Sequence, residues 1–420
     1  MTTVQVVVVG SGYAGSAVAK QLDALAETDN VEVTLVDRRE HFVHKIGALR
    51  AATIEGWDEK VLIPRDKLLK HGKIIVGVVT EVTSEAVKLD SGESIPFDYC
   101  VLATGAVNRS PGEPSAGITS EKDLRDYFSK CVAQVKGAES IAIVGGGVVG
   151  VELAGEIKSF YPDKAVSIVQ AGPTLISHSQ PSLPPKFHKA LNAQLEALGI
   201  RVFLNAKAKM DLADFGSEPS VVGKRTIPLS DGQEITADLT FLCVGATPNT
   251  ETFPSEWLDT SKHVHVDLQM RVLNAQGEVM PGVFAVGDVC ALAENKMAYF
   301  ANQMVSIAVK NISALVKGKT PSAKYSLHQS PSDLVMVVPL GPRSGVMYTG
   351  FTGVLGPFVT TLAKSKDLFV SKTWGDFNGV APGQESSNGF ALFKVSVVAA
   401  VSVLVSVITT RFMQTPSESV

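Results

Sequence analysis

At 420 residues the chain is long enough for two or three domains. An apolar content of 45% against 19% charged residues lets it bury a large core. The formal net charge of −4 offers no long-range attraction for phosphate backbones, so no nucleic-acid partner is expected.

In chain order, residues 4–37 predict a strand, a glycine turn, a helix and a second strand ending at Asp37. Val6–Val9 is a continuous apolar run, as a parallel strand covered on both faces requires. Residues 73–101 alternate and turn through Asp90-Ser91-Gly92, a hairpin signal. Val101 and Leu102 run into the small-residue turn Ala103-Thr104-Gly105, and the Pro/Gly-rich stretch 108–114 marks a crossover. Residues 139–170 repeat the opening unit, with a strand, a glycine turn, a helix over 151–160 and a strand over 166–169. A helix over 187–199 ends at Gly199, and Asp231-Gly232 marks another hairpin. Two more apolar strands end in turns, at Gly245 and at Gly287-Asp288. A long helix is expected over 297–316, a β-rich third unit over 325–374, and a polar linker over 382–388.

Cys100, Cys131, Cys243 and Cys290 are far apart. They form no CxxC pair and no zinc-ligand spacing, so buried free thiols and no metal site are expected. The chain opens on a strand with no secretory or transit leader, and Thr2 stands where myristoylation needs glycine.

The chemistry gathers at the turns. Gly10-Ser11-Gly12-Tyr13-Ala14-Gly15 and Gly145-Gly146-Gly147-Val148-Val149-Gly150 are two GxGxxG patterns, each between a strand and a helix. Absent side chains let backbone N–H groups approach a pyrophosphate, and the helix adds its positive end. Two copies imply two dinucleotide sites in one chain, hence an enzyme passing electrons from a nicotinamide to a flavin. Asp37 falls where a carboxylate accepts from a ribose hydroxyl. Gln170 takes that place in the second copy, with no adjacent arginine, which leaves NADH against NADPH open. Asp288 suits a flavin's ribitol chain.

These blocks resemble, in order and over residues 4–316, the two-dinucleotide-binding flavoproteins of the pyridine nucleotide-disulfide oxidoreductase superfamily. The implied fold is α/β, with two Rossmann-like (glutathione-reductase-like) domains, a small α+β C-terminal domain and a C-terminal hydrophobic helix. The stretch from His41 to Arg50 has no cysteine, which excludes dithiol chemistry. With residues 150–158, 296–299 and 364–371, it is similar to the ferroptosis-suppressor-type branch of the apoptosis-inducing-factor family, which reduces ubiquinone and related quinones with NAD(P)H. That likeness covers roughly residues 4–376.

The resemblance implies non-covalent FAD held at Gly10, Gly12, Tyr13, Ala14, Gly15, Asp37, Arg50, Val79, Thr104, Gly105 and Asp288. It puts NADH or NADPH at Gly145, Gly147, Gly150, Gln170 and Gly245, and adds Lys296 and Met297 to the cofactor set. Glu156 is expected near nicotinamide and flavin, and Lys364 and Phe369 on the quinone side, Lys364 supplying charge or a proton. The expected division gives the FAD-binding domain residues 1–112 and 249–320, and the NAD(P)H-binding domain residues 113–248. A C-terminal domain takes 321–380, a linker 381–388 and a transmembrane tail anchor 389–411. Val395–Thr410 is uncharged but short of the about 20 residues that cross a bilayer, so the anchor borrows residues 389–393 and needs Lys394 to snorkel. The catalytic part is then expected on the cytosolic face of a membrane. The alternatives for the run are packing on the domain or a homodimer contact. The rival functions are a soluble-acceptor flavin reductase and an NADH-sensing signalling protein.

Overall fold

The computed structural model describes residues 3–384. The first unit is β1 (Val4–Val9), α1 (Tyr13–Asp23) and β2 (Val31–Asp37). It is followed by α2 (Lys45–Ala51), β3 (Lys73–Val76), a three-stranded meander within residues 79–96, and β4 (Tyr99–Leu102). Helix α3 (Glu121–Gly137) leads into β5 (Ser140–Val144), α4 (Val148–Phe160), β6 (Ala165–Val169) and α5 (Pro185–Ala197). Then come β7 (Arg201–Phe203) and the long hairpin of β8 (Ser220–Pro228) and β9 (Glu234–Leu242). The chain returns through β10 (Arg271–Leu273), β11 (Val279–Ala285) and α6 (Ala298–Val316). It continues with β12 (Val335–Pro339), β13 (Gly345–Thr349), β14 (Gly353–Leu355), α7 (Pro357–Thr360) and α8 (Val370–Asp376).

The first sheet runs β10-β11-β4-β1-β2-β3 and the second β7-β6-β5-β9-β8. Each is parallel apart from one edge strand, β10 in the first and β8 in the second. In both, the strand before the glycine turn is central, flanked by the next strand on one side and by a strand that arrives much later on the other. That reversal of strand order opens a crevice at the carboxyl ends of the strands, where both glycine turns sit. Val6 to Val9 are at most 2% exposed, as the continuous apolar run requires. The chain crosses from one sheet to the other after β4 and back after β9. The two crossings pair as short antiparallel strands, Ala106–Asn108 against Ala246–Pro248.

The third unit differs from its expected β-rich character. Strands β12, β13 and β14 form a three-stranded sheet, but Pro357 at the first turn of α7 starts a mainly helical stretch to Asp376. This sheet packs on α4: a Cβ on Gly155 would collide with the backbone of Leu340, and Ser159 donates to the Leu340 carbonyl at 3.3 Å. Trp374 of α8 donates to the Lys60 carbonyl at 2.9 Å, tying the unit to the first domain as well. Among the described residues no helix is long and apolar enough to cross a membrane. The expected anchor at 389–411 lies outside the described residues.

Candidate active site

The two glycine turns share one construction. Gly10 (φ +92°) and Gly145 (φ +117°) take backbone conformations that an L side chain rarely adopts. A Cβ on Gly15 would overlap the Gly10 carbonyl oxygen, and one on Gly150 the Gly145 carbonyl oxygen, so these glycines let helix and strand close up. Gly12 and Gly147 differ: a Cβ on either meets nothing within 4 Å. They are the N-caps of α1 and α4, with no side-chain cap and no carboxylate in the first turn. Each helix therefore presents uncapped amides and its positive end to open space, a ready anion site.

The residues that end β2 and β6 are also equivalent. Asp37 accepts from the Ser11 amide at 2.7 Å, and Gln170 accepts from the Gly146 amide at 3.0 Å. Burial pushes the Asp37 carboxyl up, but Arg65 at 3.2 Å and the Arg39 and Ser11 amides outweigh it and hold it below its ordinary value. Gln170 makes the same turn contact without charge and donates to the Ser177 hydroxyl at 3.1 Å.

Each turn opens on a cavity. One of about 520 Å³ is lined by Gly10, Gly12, Tyr13, Ala14, Asp37, Val79, Thr104, Gly105 and Asp288. The other, of about 1550 Å³, is lined by Gly145, Gly147, Gln170, Gly245, Met297 and Phe369. Ile46, Val148, Val149, Asp288, Lys296 and Lys364 line both, so the cavities meet along a common wall. Burial pushes the Asp288 carboxyl up against the pull of Lys45, Lys296 and His263, and it has no hydrogen-bond partner among the described residues. A carboxylate without a hydrogen-bond partner on the wall of both cavities, together with open, uncapped glycine helix ends, fits a dinucleotide with a polyol chain. Thr104 and Gly105 are held from behind: Thr104 Oγ1 donates to the Asn249 carbonyl at 2.6 Å, and the Asn249 amide donates to Gly105 at 2.9 Å.

Arg50 and Glu156 lie elsewhere. Neither lines either of these two cavities. The Arg50 guanidinium, 1% exposed, grips both Glu156 oxygens at 2.8 Å and donates to the Ser365 and Lys366 carbonyls at 2.8 and 3.1 Å. It stacks on Trp57 at 4.6 Å. A guanidinium buried this far takes the carboxylate available to it. The α4 carboxylate that reaches a cavity is Glu152, one helical turn before Glu156; it lines the smaller cavity, and Lys364 Nζ on the shared wall donates to it at 2.8 Å. Burial raises Glu152 against the pull of Lys364. Lys45, paired with Glu113 at 2.7 Å, lines the smaller cavity and is a residue that the motifs did not mark.

His44, which lines neither cavity, is another residue that the motifs did not mark. Its Nε2 sits 2.7 Å from the Leu368 carbonyl and must donate, so Nδ1 accepts from the Tyr13 hydroxyl at 2.9 Å, while that hydroxyl accepts from the Ile46 amide at 3.1 Å. The relay connects the first glycine turn to Leu368 and Phe369, both in left-handed conformation at φ +50° and +61°. Burial pushes His44 down to about 4 from its ordinary 6.5. The unfolded chain takes up this proton below pH 6.5 and the native state refuses it, so the stability due to neutral His44 is complete above pH 6.5. It is lost as pH falls towards 4, by up to about 3 kcal/mol. Urea unfolding at pH 7 and pH 4.5 should show this loss in the parent and a smaller one in His44→Gln; equal losses would remove His44 as its source.

Comparison with known proteins agrees with this geometry. The family model described as "Pyridine nucleotide-disulphide oxidoreductase" matches residues 4–311. Over 391 residues the chain is 34% identical to apoptosis-inducing factor homolog B of Dictyostelium discoideum, covering 90% of this chain and 98% of that protein. It is 30% identical to ferroptosis suppressor protein 1 of Homo sapiens over 377 residues, 88% of this chain and 94% of that one. The solved sulfide:quinone oxidoreductase of Aquifex aeolicus superposes with a TM-score of 0.67 at 18% identity, covering 94% of this chain and 96% of that one, a likeness of fold.

Proposed function

We propose, for a chain that belongs to the pyridine nucleotide-disulphide oxidoreductase family alongside apoptosis-inducing factor homologs and ferroptosis suppressor proteins, that it is a FAD-dependent NAD(P)H:quinone oxidoreductase. The observation that carries the reading is the common wall of the two cavities. With a pyrophosphate at the α1 end and another at the α4 end, the residues lining both cavities, among them Ile46, Asp288, Lys296 and Lys364, would be where the two nucleotides could meet. Bound FAD supplies a two-electron acceptor for hydride and a donor to a quinone.

The chain's residues do the rest. Gly12 and Gly147 leave the helix ends bare for phosphate, Asp37 and Gln170 would take the ribose hydroxyls, and Asp288 would accept from a polyol hydroxyl. The larger cavity also has an apolar end, with Val335, Val337, Met347, Leu362 and Phe369, which suits a quinone ring and tail better than a charged soluble acceptor. Lys364, held between Glu152 and the Val337 carbonyl, brings a cation and protons to that end. In this reading the uncharged run near the C-terminus keeps the enzyme on the membrane that stores its substrate.

The test is purification in detergent, a visible spectrum, and NADH-dependent reduction of a short-chain ubiquinone. A protein that cannot be loaded with FAD, or that reduces only soluble acceptors, ends the proposal. Lys364→Met is expected to slow quinone reduction roughly 100-fold, in the range of a lost proton donor, while anaerobic bleaching by NADH stays fast. An unchanged quinone rate would take the role from Lys364.

A further inference from the structure

The third unit carries an apolar edge at the mouth of the larger cavity. Phe358 is the most exposed large apolar side chain among the described residues, at 77%. Leu362, four residues on, is 50% exposed and lines the cavity. Phe358 and Leu362 lie four residues apart on one continuous helical stretch, so Phe358 extends outwards the apolar surface that Leu362 presents to the cavity. Single exposed apolar side chains are ordinary; a pair continuous with an apolar cavity wall is not.

The unpaired charge around this edge is basic, because Lys364 is taken by Glu152 and Lys372 by Asp376 while Arg343 and Lys366 have no ion-pair partner among the described residues. Asp367 is the only carboxylate in the sequence from 334 to 375, against Arg343, Lys364, Lys366 and Lys372. Its oxygen accepts from the Ser371 amide at 3.1 Å. Arg343 and Lys366 are exposed. They are brought near each other because Ser365 Oγ donates to the Ser344 carbonyl at 3.0 Å. The described chain also ends on this unit, where the Gln384 side chain donates to the Ser371 hydroxyl. The uncharged run Val395–Thr410 starts about ten residues later, and such a stretch reaches at most roughly 35 Å.

We infer that Phe358 and Leu362, flanked by Arg343 and Lys366, form a shallow insertion edge by which this unit rests on an anionic lipid bilayer, with the cavity mouth at the boundary of headgroups and acyl chains. Apolar side chains enter that boundary, and basic residues beside them are drawn to anionic headgroups. The use of the edge, delivery of an apolar acceptor to the cavity, rests on the quinone reading; the docking does not.

The experiment uses the full chain with an environment-sensitive NBD probe on Phe358→Cys, and a control probe on Val222→Cys, exposed on β8 away from the cavities. With phosphatidylcholine vesicles containing phosphatidylserine, the probe at 358 should shift to the blue and be quenched by brominated lipid, more than with phosphatidylcholine alone, while the probe at 222 does not respond. Vesicle-bound protein whose 358 probe stays in water overturns the inference. So does a blue shift without vesicles that grows with protein concentration, since a second copy then covers the edge. In Phe358→Ser/Arg343→Glu, reduction of a long-chain quinone embedded in vesicles should fall about tenfold as surface binding weakens, with short-chain quinone reduction unchanged. A parent that reduces neither quinone ends the functional reading, and the probe still decides the docking.

Discussion

Gly12→Glu is expected to give a folded, colourless protein, and Gly147→Glu a folded, yellow one that no longer binds a nicotinamide nucleotide. Both positions have room for a side chain, since a Cβ at either meets nothing within 4 Å, and both have ordinary backbone angles for an N-cap. A carboxylate there is compatible with the positive helix end, so folding is spared. The same carboxylate occupies and repels the place of a pyrophosphate. A loss of about 100-fold in dinucleotide affinity, roughly 2.7 kcal/mol, is a modest expectation for that exchange. Gly15→Glu and Gly150→Glu should behave differently, because their side chains collide with the carbonyl oxygens that close each turn, and misfolding should precede any binding defect. Far-UV circular dichroism, the visible spectrum and an NADH titration separate these outcomes. Full flavin content in Gly12→Glu would contradict the assignment of the first turn, and unaltered NADH binding in Gly147→Glu that of the second.

These blocks are legible in the sequence because their constraints are local. Gly10 and Gly15 touch within one turn, Asp37 and Gln170 end the next strands, and each strand–turn–helix unit carries its own apolar pattern. The resemblance identified the two cavities' linings through such residues. It did not foresee contacts chosen by tertiary packing. Glu152 and Glu156 are one turn apart on α4 and indistinguishable in pattern, yet Lys364 meets the first and Arg50 the second. Arg50 lies 106 residues from its partner, and no periodicity connects them. His44 reads as a lone histidine until Leu368, 324 residues away, supplies its acceptor. The helical half of the third unit was obscured by the glycines and β-branched residues from Gly345 to Thr361, which suit strands as well as the short helices that the Pro357 turn starts.

Glu156→Ala is expected to destabilise the native state by about 3–5 kcal/mol, because it leaves a buried guanidinium without its counter-ion. Arg50 then keeps the Ser365 and Lys366 carbonyls and the Trp57 ring, which are dipoles and a π face, while the Glu152 carboxylate one turn away is held by Lys364. Burial pushes the Glu156 carboxyl up despite Arg50, so the pair spends much of its attraction on desolvation. The double variant Arg50→Met/Glu156→Leu, which removes both charges for similar volume, should therefore recover most of the loss. Urea unfolding of the two single variants and the double one closes the cycle. The pair joins α2, α4 and the segment at 365–366, so its breakage should loosen the third unit first, seen as faster hydrogen exchange in residues 357–376. Neither side chain lines either of the two cavities, so flavin content per folded molecule should not change. A stable Glu156→Ala protein that binds flavin but is not bleached by NADH would instead give Glu156 the place beside the nicotinamide that the resemblance implies, and would require the α4 side chains to rearrange when the nucleotides bind.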